Sequence, residues 1–417
     1  MSAGTLVIGA SQAGMQVAVS LRELGYDAPI TMVGAESHPP YQRPPLSKAF
    51  LAGDASAESL EFRNSEFYKD KGIDLLCSTR ITDLQVHSSG GVATALDGRQ
   101  FPFEKLALTT GAAPRRVKIP GSDLGGILYL RGIDDAVALQ KQLETARDVV
   151  VVGGGFIGLE AAAVCRKRGK NVTVVEAMDS LLSRVAAPAI ADFFLAAHQR
   201  RGTRFRLGSG VVALHGKGGT VSAVELADGS YLDADLVLIG IGVVPEIELA
   251  EQIGAVCDGA IVVDARAQTS VPGVVAAGDC VIGPNPLGGT DLVRLESVQN
   301  AVDQAKVAAA TLVGIDMSYE VVPWFWSDQG EIKLHMAGLT TGYDQIVMRG
   351  DPATEKFSVL YYRNGQFLAI NAVNRAPDYL AARAALTAGS HIPAELAGDE
   401  QMPLKKLVVA GAQITTV

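Results

Sequence analysis

The chain of 417 residues is long enough for two or three domains, each with a core of its own. Its net charge of −9 argues against a general nucleic-acid-binding surface, and no stretch reaches the roughly 18 apolar residues of a membrane span. Neither nucleic acid nor membrane is therefore expected as a partner. The apolar residues 6–10 have no basic region before them, unlike a secretory signal, so a soluble, cytoplasmic protein is expected. The four cysteines, Cys77, Cys165, Cys257 and Cys280, form neither a C-x-x-C pair nor a metal-ligand pattern. They read as reduced and structural, and no metal is expected.

Thr5, Leu6, Val7 and Ile8 form a short apolar strand that enters a turn with Gly9, Ser11 and Gly14, and a helix is expected over 15–24. This is the strand, glycine turn and helix of a dinucleotide fingerprint, with serine in place of the middle glycine. A second strand over 30–33 leads to Glu36, 22 residues beyond Gly14. An acid roughly 20 residues past the turn is placed to bind an adenosine ribose. The segment 38–48 is stiffened by four prolines around Arg43 and Lys48, which suits a loop lying against a cofactor. Mixed strands and turns follow over 60–117, with Asp97-Gly98 marking a small β-meander. The apolar run Leu106-Ala107-Leu108 then breaks at Thr109, Thr110 and Gly111.

The strongest signal lies further on. After a helix over 134–145, four valines at 149–152 run into Gly153, Gly155 and Gly158, a full G-x-G-x-x-G, and an alanine-rich helix is expected over 159–168. Gly153 would make the tight turn, Gly155 would let the backbone approach a pyrophosphate, and Gly158 would let helix and strand pack closely. The helix N-terminus would attract the phosphate charge. The strand over 171–175 ends on Glu176, 18 residues beyond Gly158, again the ribose position. Two fingerprints in one chain imply two dinucleotides, and the usual chemical reason is FAD beside NAD(P)H. A duplicated structural unit is the bland alternative.

The remaining elements are less specific. A long helix is expected from Pro188, in which His198 falls among apolar positions and reads as packed rather than catalytic, while Arg184 before it is placed to reach a pyridine nucleotide. The apolar run over 236–239 breaks into Gly240-Ile241-Gly242, and the strand over 274–277 ends at Gly278-Asp279. A helix is expected from 294 through 310, carrying Val298. Trp324-Phe325-Trp326-Ser327-Asp328-Gln329 holds both tryptophans; strand-like segments over 333–374 and a helix from 376 complete an α+β end.

Pro44-Pro45-Leu46-Ser47-Lys48, taken with Gly155-Phe156-Ile157-Gly158-Leu159-Glu160, resembles the FAD-dependent NADH:ferredoxin reductases of bacterial oxygenase systems. The resemblance implies an α/β fold of two Rossmann-like dinucleotide-binding domains, glutathione-reductase-like, plus a C-terminal α+β domain. Residues 1–116 and 246–316 would bind FAD, 117–245 would bind NADH, and 317–417 would form the third domain. It implies that Lys48 lies near flavin N5 and pairs with Glu160 as the catalytic pair. Gly9, Ser11, Gly14, Glu36, Arg43, Thr110, Gly111, Asp279 and Val298 would serve FAD, and Gly153, Gly155, Ile157, Gly158, Glu176, Arg184 and Gly242 would serve NAD. The implied partner is a [2Fe-2S] ferredoxin that supplies an oxygenase, with the oligomeric state left open. Three positions depart from the pattern: Thr109 stands for alanine, Glu246 for asparagine and Val298 for tryptophan. Rubredoxin reductase, monodehydroascorbate reductase or oxidase, and a flavoprotein resembling apoptosis-inducing factors remain alternatives. A disulfide reductase is disfavoured, because no cysteine precedes Cys77.

Overall fold

A computed structural model describes residues 3–183 and 185–410. The chain divides into two compact units, one comprising Met1–Gln42, Glu58–Ala113 and Val243–Pro323, the other Arg43–Ala57, Pro114–Gly242 and Trp324–Val417.

The first unit is built on a five-stranded parallel sheet whose spatial order is Val274–Ala276, Lys105–Leu108, Thr5–Ile8, Ile30–Val33, Ile73–Leu76. Thr5–Ile8 sits at its centre and is buried along its whole length, as an apolar parallel strand covered on both faces must be. Alternation divides its side chains between two cores. Val7 packs with Val17, Ala18 and Leu21 of the helix Gln12–Glu23 and with Ala301, Ala305 and Ala308 of the helix Val298–Leu312. Leu6 and Ile8 face the other way, onto Leu84, Ala93 and Phe103 of an antiparallel meander, Ile81–His87, Gly90–Ala95 and Gln100–Phe103. Gly98 makes the expected turn in that meander at φ +85°.

The second unit repeats the parallel design in the order Arg204–Arg206, Asn171–Val175, Asp148–Val152, Leu236–Ile239, Ile127–Tyr129. Its last portion forms a five-stranded antiparallel sheet in the order Trp324–Gln329, Ile332–Gly338, Gln366–Val373, Lys356–Arg363, Gln345–Asp351. One face of that sheet packs Leu334, Phe357, Val359 and Tyr361 against Phe193, Phe194 and Ala197 of the helix Pro188–Arg200. The other packs Leu360, Tyr362 and Ile370 under Tyr379, Ala382 and Ala385 of the helix Ala376–Thr387.

Several expectations need correction. Helices after both glycine turns begin earlier than the apolar periodicity indicates, at Gln12 and Phe156, because each starts directly at the turn. The helix expected from 294 begins at Val298: Ser297 takes the N-cap, its hydroxyl accepting the Asn300 N–H at 3.0 Å. The tryptophan segment is an edge strand of the last sheet, and Val211–Lys217, Thr220–Leu226 and Tyr231–Asp233 form a small antiparallel sheet that the sequence reading does not anticipate. Among the described residues no helix is long and apolar enough to cross a membrane, and no three His, Cys, Asp or Glu side chains gather as a metal site.

Candidate nucleotide cradles and the Lys48–Glu160 cluster

Both glycine turns lie at the carboxyl edge of a parallel sheet, where ligands of open α/β sheets bind. In the first, Gly9 has φ +113°, and a Cβ there would lie 2.0 Å from the Thr109 carbonyl oxygen. A Cβ on Gly14 would lie 1.8 Å from the Gly9 carbonyl oxygen. The protein itself therefore demands both glycines. Ser11 between them is extended, φ −125° and ψ −153°, a conformation open to any residue, which is why serine can replace glycine. Thr109 closes the turn from below, its hydroxyl donating toward the Ile8 and Gly9 carbonyls at 3.0 and 2.8 Å. An alanine at this position could not do so.

The second turn follows the same rules. Gly153 has φ +112° and would place a Cβ 2.3 Å from the Gly240 carbonyl oxygen; on Gly158 a Cβ would lie 2.2 Å from the Gly153 carbonyl oxygen. A Cβ on Gly155, by contrast, would meet no heavy atom within 4 Å. Among the described residues nothing requires glycine there, and the open space leaves room for the close approach of a phosphate group. Neither following helix has an acidic residue in its first turn, so no carboxylate of the helix itself competes for its positive end. The residues present thus fit a dinucleotide pyrophosphate at each turn.

The acids at the ends of the second strands are held differently. Glu36 accepts the Tyr41 hydroxyl at 2.5 Å. Glu176 uses both oxygens on backbone N–H groups, Gly154 at 2.7 Å and Met178 at 2.9 Å, which ties the acid to the glycine turn itself. Other positions singled out for FAD meet at the same sheet edge of the first unit. Thr110 donates its hydroxyl to the Glu246 carbonyl at 2.6 Å, and the Gly111 carbonyl accepts the Glu246 N–H at 3.0 Å. Asp279 stands in a turn after Val274–Ala276, not at a helix N-cap. Its neighbour Gly278, at φ +90°, would place a Cβ 3.2 Å from that of Ala13, which lies within the first glycine turn. Val298 is the first, half-buried residue of its helix.

Arg43 and Lys48 fall in the second unit, where Arg43 donates to the Arg131 carbonyl at 2.9 Å. Ile157 stands exposed in the first turn of the helix Phe156–Lys167. Gly242, at φ +96°, is exposed, and its carbonyl accepts the Arg115 N–H at 2.9 Å. Arg184 lies outside the described residues.

Lys48 and Glu160, 112 residues apart, are brought together. The prolines make a 3-10 turn, Pro44–Ser47, that aims Lys48 Nζ at Glu160 Oε2 across 2.7 Å, with the Pro44 carbonyl as a second acceptor at 3.2 Å. Glu160 is buried, 3% exposed, whereas the Lys48 side chain retains 18%. A buried carboxylate needs further donors. It has two that sequence reading missed: Ser47 donates to Oε2 at 2.5 Å and Ser327 to Oε1 at 2.7 Å. The only available clue was that Ser47 immediately precedes Lys48; Ser327 carries no local signal.

The four cysteines are unpaired. Burial pushes the Cys165 thiol up to about 12 and raises Cys77, Cys257 and Cys280 as well. None is activated toward disulfide exchange.

Comparison with known proteins extends these findings. Residues 4–305 match the family described as pyridine nucleotide-disulphide oxidoreductase, and residues 324–408 match the family described as reductase C-terminal. The chain is similar to rhodocoxin reductase of Rhodococcus erythropolis, 42% identical over 96% of this chain and 93% of that one. It is also 41% identical to a ferredoxin–NAD(P)(+) reductase of a Sphingomonas species, over 97% of each. Among solved structures, the reductase in a covalent putidaredoxin reductase–putidaredoxin complex superposes with a TM-score of 0.93 at 38% identity, over 97% of each chain.

Proposed function

The chain belongs to the pyridine nucleotide-disulphide oxidoreductase family, whose ferredoxin reductases use FAD and NAD(P)H, and we propose that it passes electrons from NADH through FAD to a small [2Fe-2S] ferredoxin that supplies an oxygenase. The observation that carries this reading is the pair of glycine turns, each at the carboxyl edge of its own parallel sheet. A single dinucleotide would need only one. The absence of an activated cysteine among the described residues separates this chain from the disulfide reductases that give the family its description.

Bound FAD supplies the conversion between two-electron and one-electron transfer; the protein supplies binding, orientation and electrostatics. In this reading residues 1–116 and 246–316 hold FAD, 117–245 hold NADH, and 317–417 form a third domain. Gly9, Ser11 and Gly14 accommodate the FAD pyrophosphate, Glu36 its ribose and Asp279 its ribitol, with Thr110, Gly111 and Val298 at the same sheet edge and Arg43 in the proline segment. Gly153, Gly155 and Gly158 accommodate the NADH pyrophosphate, Ile157 and Gly242 contribute further to NADH binding, and Glu176 accepts its ribose hydroxyls. Lys48 would present a fixed positive charge toward the flavin, and Glu160 would hold that charge in place. In this reading the enzyme works in the cytoplasm, where NADH is available to it.

The experiment is an anaerobic titration of the purified holoprotein. One FAD per chain, bleached by one equivalent of NADH, is expected. A chain that binds a single dinucleotide, or one whose flavin NADH does not bleach, would refute the reading.

A further inference from the structure

The donors on Glu160 belong to a longer chain of buried groups. Ser327 lies 2.7 Å from Glu160 Oε1, the Gln329 side-chain nitrogen lies 3.3 Å from Ser327 Oγ, and Gln329 Oε1 lies 2.8 Å from His198 Nε2. Glu160, Ser327, Gln329 and His198 are all at most 3% exposed. Ser327 and Gln329 share one face of the strand Trp324–Gln329, while His198 comes from the helix Pro188–Arg200, between the rings of Phe194 and Phe205.

The directions in this chain follow from one end. An ionised carboxylate can only accept, so the Ser327 hydroxyl must donate to Glu160. Ser327 Oγ then accepts from the Gln329 amide, which turns Gln329 Oε1 toward His198. An acceptor at 2.8 Å requires a proton on His198 Nε2. Burial lowers the His198 pKa, so the ring is neutral and this proton fixes its tautomer. Each bond in the chain thus points its donor toward Glu160.

We propose that Gln329 and His198 are positioning residues, which act through Ser327 to hold Glu160 in the one orientation that keeps Lys48 in place. The proposal rests on the reading of Lys48 and Glu160 as the pair beside the flavin. A buried polar chain of this kind is costly when half satisfied and rigid when fully satisfied.

Two measurements test it. Nitrogen NMR of the full-length protein labelled at histidine reads the tautomer without reference to the flavin; a proton on Nε2 is expected, and a proton on Nδ1 alone overturns the proposal. The second is a double-mutant cycle on the holoprotein with Gln329→Met and Lys48→Met. Gln329→Met should slow flavin bleaching by NADH roughly threefold to tenfold, as for loss of one hydrogen bond to a positioned group, with the KM for NADH unchanged. It should also shift the flavin midpoint potential. In the Lys48→Met background it should change neither rate nor potential. The same factor in both backgrounds, or no effect in either, would overturn the proposal. A parent protein that NADH cannot bleach would instead refute the proposed function, and the tautomer would still decide this inference.

Discussion

The Glu176 carboxylate accepts the Gly154 backbone N–H at 2.7 Å, so the acid at the end of one strand is bonded to the glycine turn at the end of its neighbour. This contact fixes a negative charge beside the second cradle. Such a charge accepts hydrogen bonds from ribose hydroxyls and repels a 2′-phosphate. NADH should therefore be preferred over NADPH, and Glu176→Ala should narrow the ratio of their kcat/KM values by about tenfold or more, the size of one lost charge interaction. Steady-state kinetics with both nucleotides decide this; equal kcat/KM for NADH and NADPH in the parent would remove Glu176 from the role.

The glycines divide by what surrounds them, and substitution should reveal the division. Gly158→Ala would drive a methyl group to within 2.2 Å of the Gly153 carbonyl oxygen, so little soluble holoprotein should be recovered. Gly155→Ala adds its methyl to open space at an ordinary φ of −82°. It should leave Tm and FAD content close to those of the parent and raise the KM for NADH by about tenfold or more, through steric exclusion of the pyrophosphate. Unaltered NADH kinetics in Gly155→Ala would mean that no phosphate passes there.

Lys48 and Glu160 should separate by experiment into chemistry and stability. Lys48→Met removes a partly exposed cation and should slow flavin reduction on the order of tenfold to a hundredfold while FAD stays bound. Glu160→Ala takes away a buried acceptor shared by Lys48, Ser47 and Ser327 and should lower Tm by several degrees, since each buried donor left without its acceptor costs about 1 kcal/mol or more. Stopped-flow traces of Lys48→Met that match the parent would place the lysine outside the chemistry.

What was legible in the sequence was what local physics dictates. Thr5–Ile8 and Asp148–Val152 announce themselves as buried strands by consecutive apolar residues, and Gly9 and Gly153 announce turns because their positive φ excludes other residues. Lys48 and Glu160 were paired only through the likeness of their flanking motifs to a known family. Ser327 and Gln329 were not legible, since a serine and a glutamine on an edge strand look like solvated positions. They are buried because Glu160 and His198, 167 and 131 residues distant, meet them from helices of the same unit. Val211–Lys217 and its partner strands escaped notice because their exposed faces dilute the apolar pattern. The early start of the helix Phe156–Lys167 escaped for the opposite reason: the first turn is set by the glycine loop, and Ile157 there is exposed.

Electron transfer from NADH to a [2Fe-2S] ferredoxin can be followed as NADH-driven reduction of cytochrome c by the holoprotein with a panel of small carriers. Turnover should depend on an added [2Fe-2S] ferredoxin and saturate with it, while oxygen, monodehydroascorbate and disulfides are reduced slowly. Slow turnover with every [2Fe-2S] ferredoxin, or faster turnover with rubredoxin or with oxygen alone, would contradict the proposed function.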